Sequence, residues 1–180
     1  MSIQQLLENR SSTMQNKMTG GEVKAEHLKQ ALATTTTTPI HGKVNPMHFV
    51  VYDFDKRNEA LDMLYKPRAE KMPREDFDAN FGGVGAFVFA FIKKGATKFP
   101  DIESITSASM AVYGMQLSLI NNGYCVKINS IFPDQANGAS IMNDLGLSVD
   151  EYTPIGYLMI GTGETEIKER ANYSEYTDWK

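Results

Sequence analysis

Several stretches of the chain carry apolar residues at the spacing of one helix face. Ile3, Leu6 and Leu7 predict a short first helix that ends near the Asn-Arg pair that follows. Thr19 and Glu22 match a capping box, which predicts the start of a second helix. The longer predicted helices, with approximate bounds, are Gly21 to Ala33, Asp55 to Tyr65, Ile102 to Asn121 and Asp134 to Leu145.

Local chemistry predicts where two of these helices begin or end. Asp134 is the expected N-cap of the last helix, and Gly146 follows its final turn, where a left-handed residue is favoured. The run from Thr34 to Thr38 is expected to end the second helix, because β-branched residues before Pro39 disfavour helical backbone. As a low-complexity stretch, the same run is equally well interpreted as a linker.

Three short apolar runs predict β-strands. Phe49 to Tyr52 is bounded by turn-forming residues, and Tyr157 to Ile160 is the last predicted strand. Ala86 to Ile92 is a nearly continuous run of strand-forming residues, which predicts a central strand buried on both faces. Together with the helices, these runs predict a single α+β domain over residues 1–180.

The longest predicted helix, Ile102 to Asn121, is apolar around most of its circumference. Such a helix has to be buried on several sides. Two explanations remain open: a second subunit covers part of the helix, or the helix lies in the centre of the core of one subunit.

Two further segments lack a clear period. Pro67 to Phe81 mixes charged residues with two prolines and Phe77, so we expect it to wrap the surface or cap a pocket and to be the most mobile element. The tail from Glu164 to Lys180 carries two tyrosines and a tryptophan, and we expect these aromatic residues to dock on their own domain or on a partner subunit.

Composition and charge exclude several classes of function. The formal net charge of −4 and the scattered lysines argue against a nucleic-acid binder, which needs a clustered basic surface. The single cysteine, Cys125, rules out an internal disulfide and a thiolate metal site, and a reducing compartment is expected. His27, His41 and His48 do not form a zinc-binding helical pair, so no metal site is predicted.

The hydropathy of the chain gives an expectation about location. Polar residues interrupt the first ten positions, and no apolar run reaches the length of a membrane span. We expect a cytoplasmic protein without a membrane partner. A hydrolase has little support, because the sequence contains no Gly-x-Ser-x-Gly nucleophile elbow.

Five motifs in order carry a family resemblance. The opening QLLENRSS ends in Arg10, Ser11 and Ser12, and a second polar loop leads into the first strand. The residues of this loop that match are Pro39, His41, Asn45, Pro46, Met47, His48 and Phe49. The later motifs are Gly123-Tyr124, Ile128-Asn129-Ser130 and the stretch from Gly156 to Thr162. In this order the chain resembles the small FMN-dependent nitroreductases over nearly its whole length.

The resemblance implies a nitroreductase-like fold, with a mainly antiparallel sheet flanked by helices, and a homodimer with a long buried interface helix. It also implies two shared FMN sites and a C-terminal tail exchanged between subunits. Arg10 would bind the FMN phosphate by charge-assisted hydrogen bonds. The other implied cofactor-binding residues are Ser11, Ser12, Thr37, His41, Ile128, Asn129 and Ser130, with Lys43 and Lys127 as neighbouring positive charges.

The chain departs from the family pattern at several positions. Ser11 and Thr37 stand where relatives have or often have arginine, Ile128-Asn129 replaces Trp-Arg, and Met47 replaces tryptophan. Each lost charged hydrogen bond removes roughly 1.5 to 3 kcal/mol of phosphate binding. Three such losses would weaken FMN binding about a thousandfold or more if nothing compensates.

Two functions follow from this reading. The first is an FMN-dependent oxidoreductase that takes hydride from NADH or NADPH and reduces a small electron-poor acceptor, such as a nitroaromatic or a quinone, by a ping-pong mechanism. In that case flavin carries the hydride, and no side chain has to act as acid or base. The alternative is a degenerate nitroreductase-fold dimer that binds FMN weakly or not at all and serves as a binding or interaction protein.

Overall fold

The computed structural model describes residues 2–40 and 44–167. It forms an α+β architecture built on one four-stranded sheet. The helices are α1 (Ile3–Asn9), α2 (Ala25–Ala33), α3 (Arg57–Tyr65), α4 (Arg74–Phe81), α5 (Asp101–Asn121) and α6 (Ala136–Asp144), and the strands are β1 (Met47–Tyr52), β2 (Ala86–Lys93), β3 (Cys125–Asn129) and β4 (Tyr152–Gly161).

The strands are antiparallel throughout and follow the order β1-β2-β4-β3. β2 is therefore central, and its residues from Ala86 to Ile92 are all buried. The prediction of a mainly antiparallel sheet flanked by helices, with this central strand, is confirmed. β3 lies at one edge and pairs only with β4 among the strands of the described chain, which leaves its outer side open for other segments.

Helices cover the two faces of the sheet unequally. Phe87 and Phe89 of β2 point to the face covered by α3, α4 and α6, where they join Phe77 in a cluster that is rich in aromatic rings. Val88 and Ala90 point to the opposite face, against α2 and α5. Burying each large apolar side chain contributes about 1.5 to 3 kcal/mol, so the alternating residues of β2 hold both layers together.

The long helix α5 has one buried and one exposed apolar side. Ala111 and Met115 are fully buried against the sheet, whereas Met110 is 43% and Tyr113 is 40% exposed. The described part of this chain therefore covers only one side of the apolar surface that the sequence predicts for this helix.

The capping patterns in the sequence predicted the starts of two helices wrongly. α2 begins at Ala25 without a side-chain cap, and the Thr19 hydroxyl lies 2.9 Å from that of Thr162 instead. α6 begins after Gln135, also without a side-chain cap, so Asp134 is not its N-cap. At the other end of α6, Gly146 does adopt the predicted left-handed backbone, with φ of 67°.

Two segments predicted as irregular are helical. Thr34–Thr37 forms a 3-10 turn that continues α2, because each threonine hydroxyl donates to the carbonyl oxygen three residues earlier, so the linker interpretation is wrong. The segment from Pro67 to Phe81 contains the end of a second 3-10 turn, Lys66–Arg68, and all of α4. Phe77 is fully buried and anchors the segment in the core, whereas most of its other residues are exposed.

Candidate functional site

The edge strand β3 organises the candidate site. The backbone N–H of Thr13 donates to the carbonyl oxygen of Val126 at 3.3 Å, which attaches the N-terminal segment to the open side of β3. The same strand leads directly into Asn129 and Ser130. Two motifs that lie 116 or more residues apart in the sequence are therefore attached to one strand. They are the N-terminal motif, Arg10-Ser11-Ser12, and the Ile128-Asn129-Ser130 motif.

The N-terminal motif enters the site between α1 and this attachment point. α1 ends at Asn9, and its start is fixed by a capping box between Ser2 and Gln5. Arg10 follows with extended backbone and is half-buried, and Ser11 is buried at 3% exposure. α1 ends before Arg10. The side chains of Arg10 and of the residues after it therefore belong to an extended segment that lies along β3.

Ser12 lines a small cavity, of about 40 Å³, together with Lys17 and Glu166. The Nζ atom of Lys17 lies 3.1 Å from a carboxylate oxygen of Glu166, so its charge is partly neutralised by an exposed ion pair. The Thr13 and Thr165 hydroxyl oxygens lie 3.1 Å apart beside this cavity.

Lys127, on β3, is another positive charge near the N-terminal motif. Its ammonium group donates to Oε1 of Gln15 at 2.8 Å. Partial burial lowers the pKa of Lys127, because desolvation disfavours the charged form.

The Ile128-Asn129-Ser130 motif lines a larger cavity of about 400 Å³ at the end of β3. The side-chain amide of Asn129 donates to the Tyr157 hydroxyl at 3.0 Å, which fixes its orientation. Ile128 is 38% exposed and contributes an apolar surface to the wall. The cavity is lined by more polar than apolar surface, and the Asn129 amide is held in place by its hydrogen bond to Tyr157.

Two glycines give this cavity its shape. A Cβ on Gly156, whose φ is 146°, would lie 2.5 Å from the carbonyl oxygen of Asn129. A Cβ on Gly138 would lie 2.0 Å from the carbonyl oxygen of Phe132. Since backbone atoms cannot rotate away from such contacts, the loop after β3 can pack against β4 and α6 only where side chains are absent.

Thr37 is not brought together with the residues around β3. It is exposed, and its hydroxyl donates to the Thr34 carbonyl oxygen at 2.7 Å in the 3-10 turn. The chain after it, Pro39 and Ile40, lines a separate apolar cavity of about 500 Å³ against α5. His41 and Lys43 lie outside the described residues.

The sequence interpretation missed several cavity residues. Arg68 lines the 400 Å³ cavity, and so do Asn137 and Tyr157. Arg68 belongs to the charged stretch after α3, and nothing in its immediate sequence separates it from its charged neighbours. Tyr157 was predicted only as a strand residue.

The residues that the structure describes contain no group of three or more His, Cys, Asp or Glu side chains placed to hold a metal ion. Nor does any helix within these residues combine the length and apolar character that a membrane span requires.

No protein-family model matches the chain. A curated relative from Haemophilus influenzae, named "Putative NAD(P)H nitroreductase", is 28% identical over 182 residues, which cover 97% of this chain and 95% of the relative. The chain therefore matches this relative over nearly the full length of both proteins.

Solved structures match the fold over the whole chain. A nitroreductase-like family protein from Bacillus cereus superposes with a TM-score of 0.83 at 18% identity, covering 100% of this chain and 96% of the other. A Desulfovibrio desulfuricans protein, described as a "putative nitroreductase in complex with FMN", superposes with a TM-score of 0.79 at 17% identity and covers 100% and 97% of the two chains. The chain has the nitroreductase-like fold, and the resemblance to nitroreductases that its motifs predict is confirmed.

Proposed function

We propose that the chain is an FMN-dependent oxidoreductase that uses NADH or NADPH to reduce small electron-poor molecules. One observation carries the proposal: within a nitroreductase-like fold, the edge strand β3 holds the Arg10-Ser11-Ser12 and Ile128-Asn129-Ser130 motifs together. The Haemophilus influenzae relative is named for NAD(P)H, and the Desulfovibrio desulfuricans structure contains FMN. Both names support the proposal that the site binds FMN and that the chain uses NADH or NADPH.

The residues at the N-terminal motif fit an FMN phosphate by the chemistry of their donors. The guanidinium of Arg10 offers planar N–H donors to phosphate oxygens, and Ser12 adds a hydroxyl at the rim of the small cavity. Ser11 is buried, so its backbone and hydroxyl form a fixed wall rather than a free ligand. Lys127 adds positive charge from β3, on the core side of the motif.

The residues at the end of β3 would shape the pocket for the flavin ring and the substrates. When FMN is bound it supplies the hydride chemistry, so the protein has to bind, orient and shield. Asn129, held by Tyr157, presents a fixed polar edge, and Ile128 presents an apolar surface. Because the structure offers one cavity of 400 Å³ here, the reductant and the acceptor would use it in turn, as a ping-pong scheme requires.

We further propose that two copies of the chain form the functional unit. α1 and α5 carry large apolar side chains that the described chain leaves exposed. A second copy packed there would bury this surface. In such a dimer Thr37 and His41 of one chain would complete the site of the other. Residues 164–167 pack on their own chain, and the tail after them, which lies outside the described residues, would exchange with the partner. The exposed apolar residues on these helices are Ile3, Leu7, Ile102, Met110 and Tyr113.

The rival proposal, a dimer that serves as a binding protein, rests on the weak positive charge of the site. Lys17 is paired with Glu166, and Ser11 stands where relatives have a second arginine. Both features lower the expected affinity for a dianionic phosphate.

The two proposals differ in one measurement. The protein is purified in the presence of FMN, desalted, and examined for flavin absorbance and for oxidation of NADH and NADPH with a nitroaromatic or quinone acceptor. Bound flavin with turnover, and parallel lines in double-reciprocal plots at several acceptor concentrations, support the oxidoreductase. Absence of both flavin and NAD(P)H oxidation would rule it out in favour of the binding protein.

A further inference from the structure

We propose that the 400 Å³ cavity recognises a carboxylate through Arg68, so that the acceptor of the proposed oxidoreductase is a small molecule with an acidic group and an apolar body. Only the statement that the ligand is an electron acceptor rests on the proposed function. The recognition of a carboxylate rests on the geometry of the cavity itself.

The guanidinium of Arg68 is held in place by its own surroundings. It sits at the end of the 3-10 turn Lys66–Arg68, and its Nη1 atom donates to the carbonyl oxygen of Leu64. Its carbon Cζ lies 6.0 Å from the ring centroid of Phe81, which is itself buried. An arginine has five N–H donors, so this single carbonyl contact leaves the others available to the cavity.

Arg68 differs from Lys66 and Arg74, two neighbouring cations that have carboxylate partners. Lys66 pairs with Asp144 at 2.9 Å, and Arg74 pairs with both Asp62 and Asp78. Arg68 has no such carboxylate partner within residues 2–40 and 44–167. Arg57 is also half-buried without a carboxylate partner among the described residues, but Arg68 lines the cavity, so an external anion can reach its guanidinium.

The rest of the lining defines the kind of anion. Among the residues that the structure describes, no Asp or Glu side chain lines the cavity, so none of them repels a negative ligand there. Carboxamides come from Gln135 and Asn137, and the walls include the exposed ring of Phe132. A planar monoanion suits one guanidinium, because the two oxygens of a carboxylate match its paired N–H groups. The neutral amides and the aromatic wall would contact the remainder of the molecule.

The test measures binding before turnover. Binding of 4-nitrobenzoate and of its uncharged methyl ester is measured by calorimetry on the full chain with and without FMN, for the natural protein and the Arg68→Gln variant. We expect 4-nitrobenzoate to bind tighter than the ester, and Arg68→Gln to weaken its binding about tenfold or more while ester binding is unchanged. Arg68→Lys keeps the charge without the planar fork, so it should lie between the two.

Arg74→Gln is the matched control, since Arg74 lies on the adjacent helix and its charge is already paired. It should leave the binding of both compounds unchanged. FMN affinity is followed by quenching of flavin fluorescence in the natural protein and in Arg68→Gln, so that a change in flavin binding is measured separately from the binding of the two compounds. Equal loss of ester and carboxylate binding, or loss of FMN binding instead, would overturn the assignment of Arg68 to a carboxylate.

The outcome separates this inference from the proposed function. Preferential binding of the carboxylate through Arg68 in a protein that oxidises no NAD(P)H would refute the oxidoreductase and keep the site. Turnover of uncharged and carboxylated nitroaromatics with equal KM, in the natural protein and in Arg68→Gln alike, would refute the site and keep the oxidoreductase.

Discussion

The hydroxyl oxygens of Thr13 and Thr165 lie 3.1 Å apart, and this contact joins the N-terminal segment to the segment that follows β4. The Sγ atom of Cys125 lies 3.3 Å from the same Thr165 hydroxyl, so both segments meet on the edge strand. The candidate phosphate-binding motif is therefore held partly by a residue more than 150 positions away.

Replacement of Thr165 by valine tests the importance of this junction. The change keeps the shape of the side chain and removes one partner of two polar contacts, so the free energy of unfolding should fall by about 1 kcal/mol. Urea titration measures the change. The control is Thr106→Val, because the Thr106 hydroxyl is exposed and donates to the carbonyl oxygen of Ile102 in its own helix. Equal effects of the two substitutions would show that the junction does not stabilise the fold.

Arg10→Ala is expected to weaken FMN binding while the assembly state is unchanged. Loss of a charge-assisted hydrogen bond to phosphate costs roughly 1.5 to 3 kcal/mol, which is about a ten- to hundredfold increase in Kd. Flavin fluorescence titration measures the Kd, and size-exclusion chromatography measures the assembly state. Arg10→Lys should be intermediate, because lysine keeps the charge without the planar donors. Unchanged flavin affinity in Arg10→Ala would refute the anchoring role.

Gly138→Ala should destabilise the protein, because the new Cβ would collide with the carbonyl oxygen of Phe132. We expect a loss of about 2 to 3 kcal/mol in the free energy of unfolding, together with a distorted cavity. Gly114→Ala is the matched control in a helix, where the new Cβ meets only the Thr34 hydroxyl at an ordinary 3.6 Å. That change should stabilise by up to about 1 kcal/mol through helix propensity. If both substitutions changed the free energy of unfolding in the same direction, this account of Gly138 would be wrong.

Gln116 on α5 is 1% exposed, and its Nε2 atom has no hydrogen-bond partner in the described ranges 2–40 and 44–167. Burying an unpaired amide costs about 1 to 3 kcal/mol, so Gln116→Leu should raise the free energy of unfolding by about 1 kcal/mol. Gln30→Leu, at an exposed position of α2, should give no such gain. Destabilisation by Gln116→Leu would contradict this account of the buried amide.

Much of the fold could be predicted because its main elements have strong local patterns. The continuous run in β2 and the apolar stripe of α5 identified the central strand and the longest helix. β3 was missed because it is only five residues long, and its strand character comes from pairing with β4, about thirty residues away. The cap predicted at Thr19 failed for a related reason, since a tertiary contact with Thr162 uses the hydroxyl that the local pattern assigned to a helix start.

The candidate site was predictable only in part. Arg10 and Asn129 were found through a resemblance, and the structure places their segments on the same strand. Arg68, the residue of the proposed carboxylate site, was not predicted, because what distinguishes it from Lys66 and Arg74 is the absence of a carboxylate partner in the described part of the chain. Such partners are set by the packing of α3, α4 and α6, and a charge pattern along the chain does not reveal them.

The central strand also affects how this protein has to be handled. Seven consecutive residues of β2 are buried in the native state, without a charge or proline among them. Once exposed by heat, such a stretch pairs readily with its counterparts in other molecules and forms insoluble aggregates. Thermal denaturation should therefore be irreversible, and refolding yield should fall as concentration rises, so chemical denaturation of dilute samples is the suitable way to compare variants.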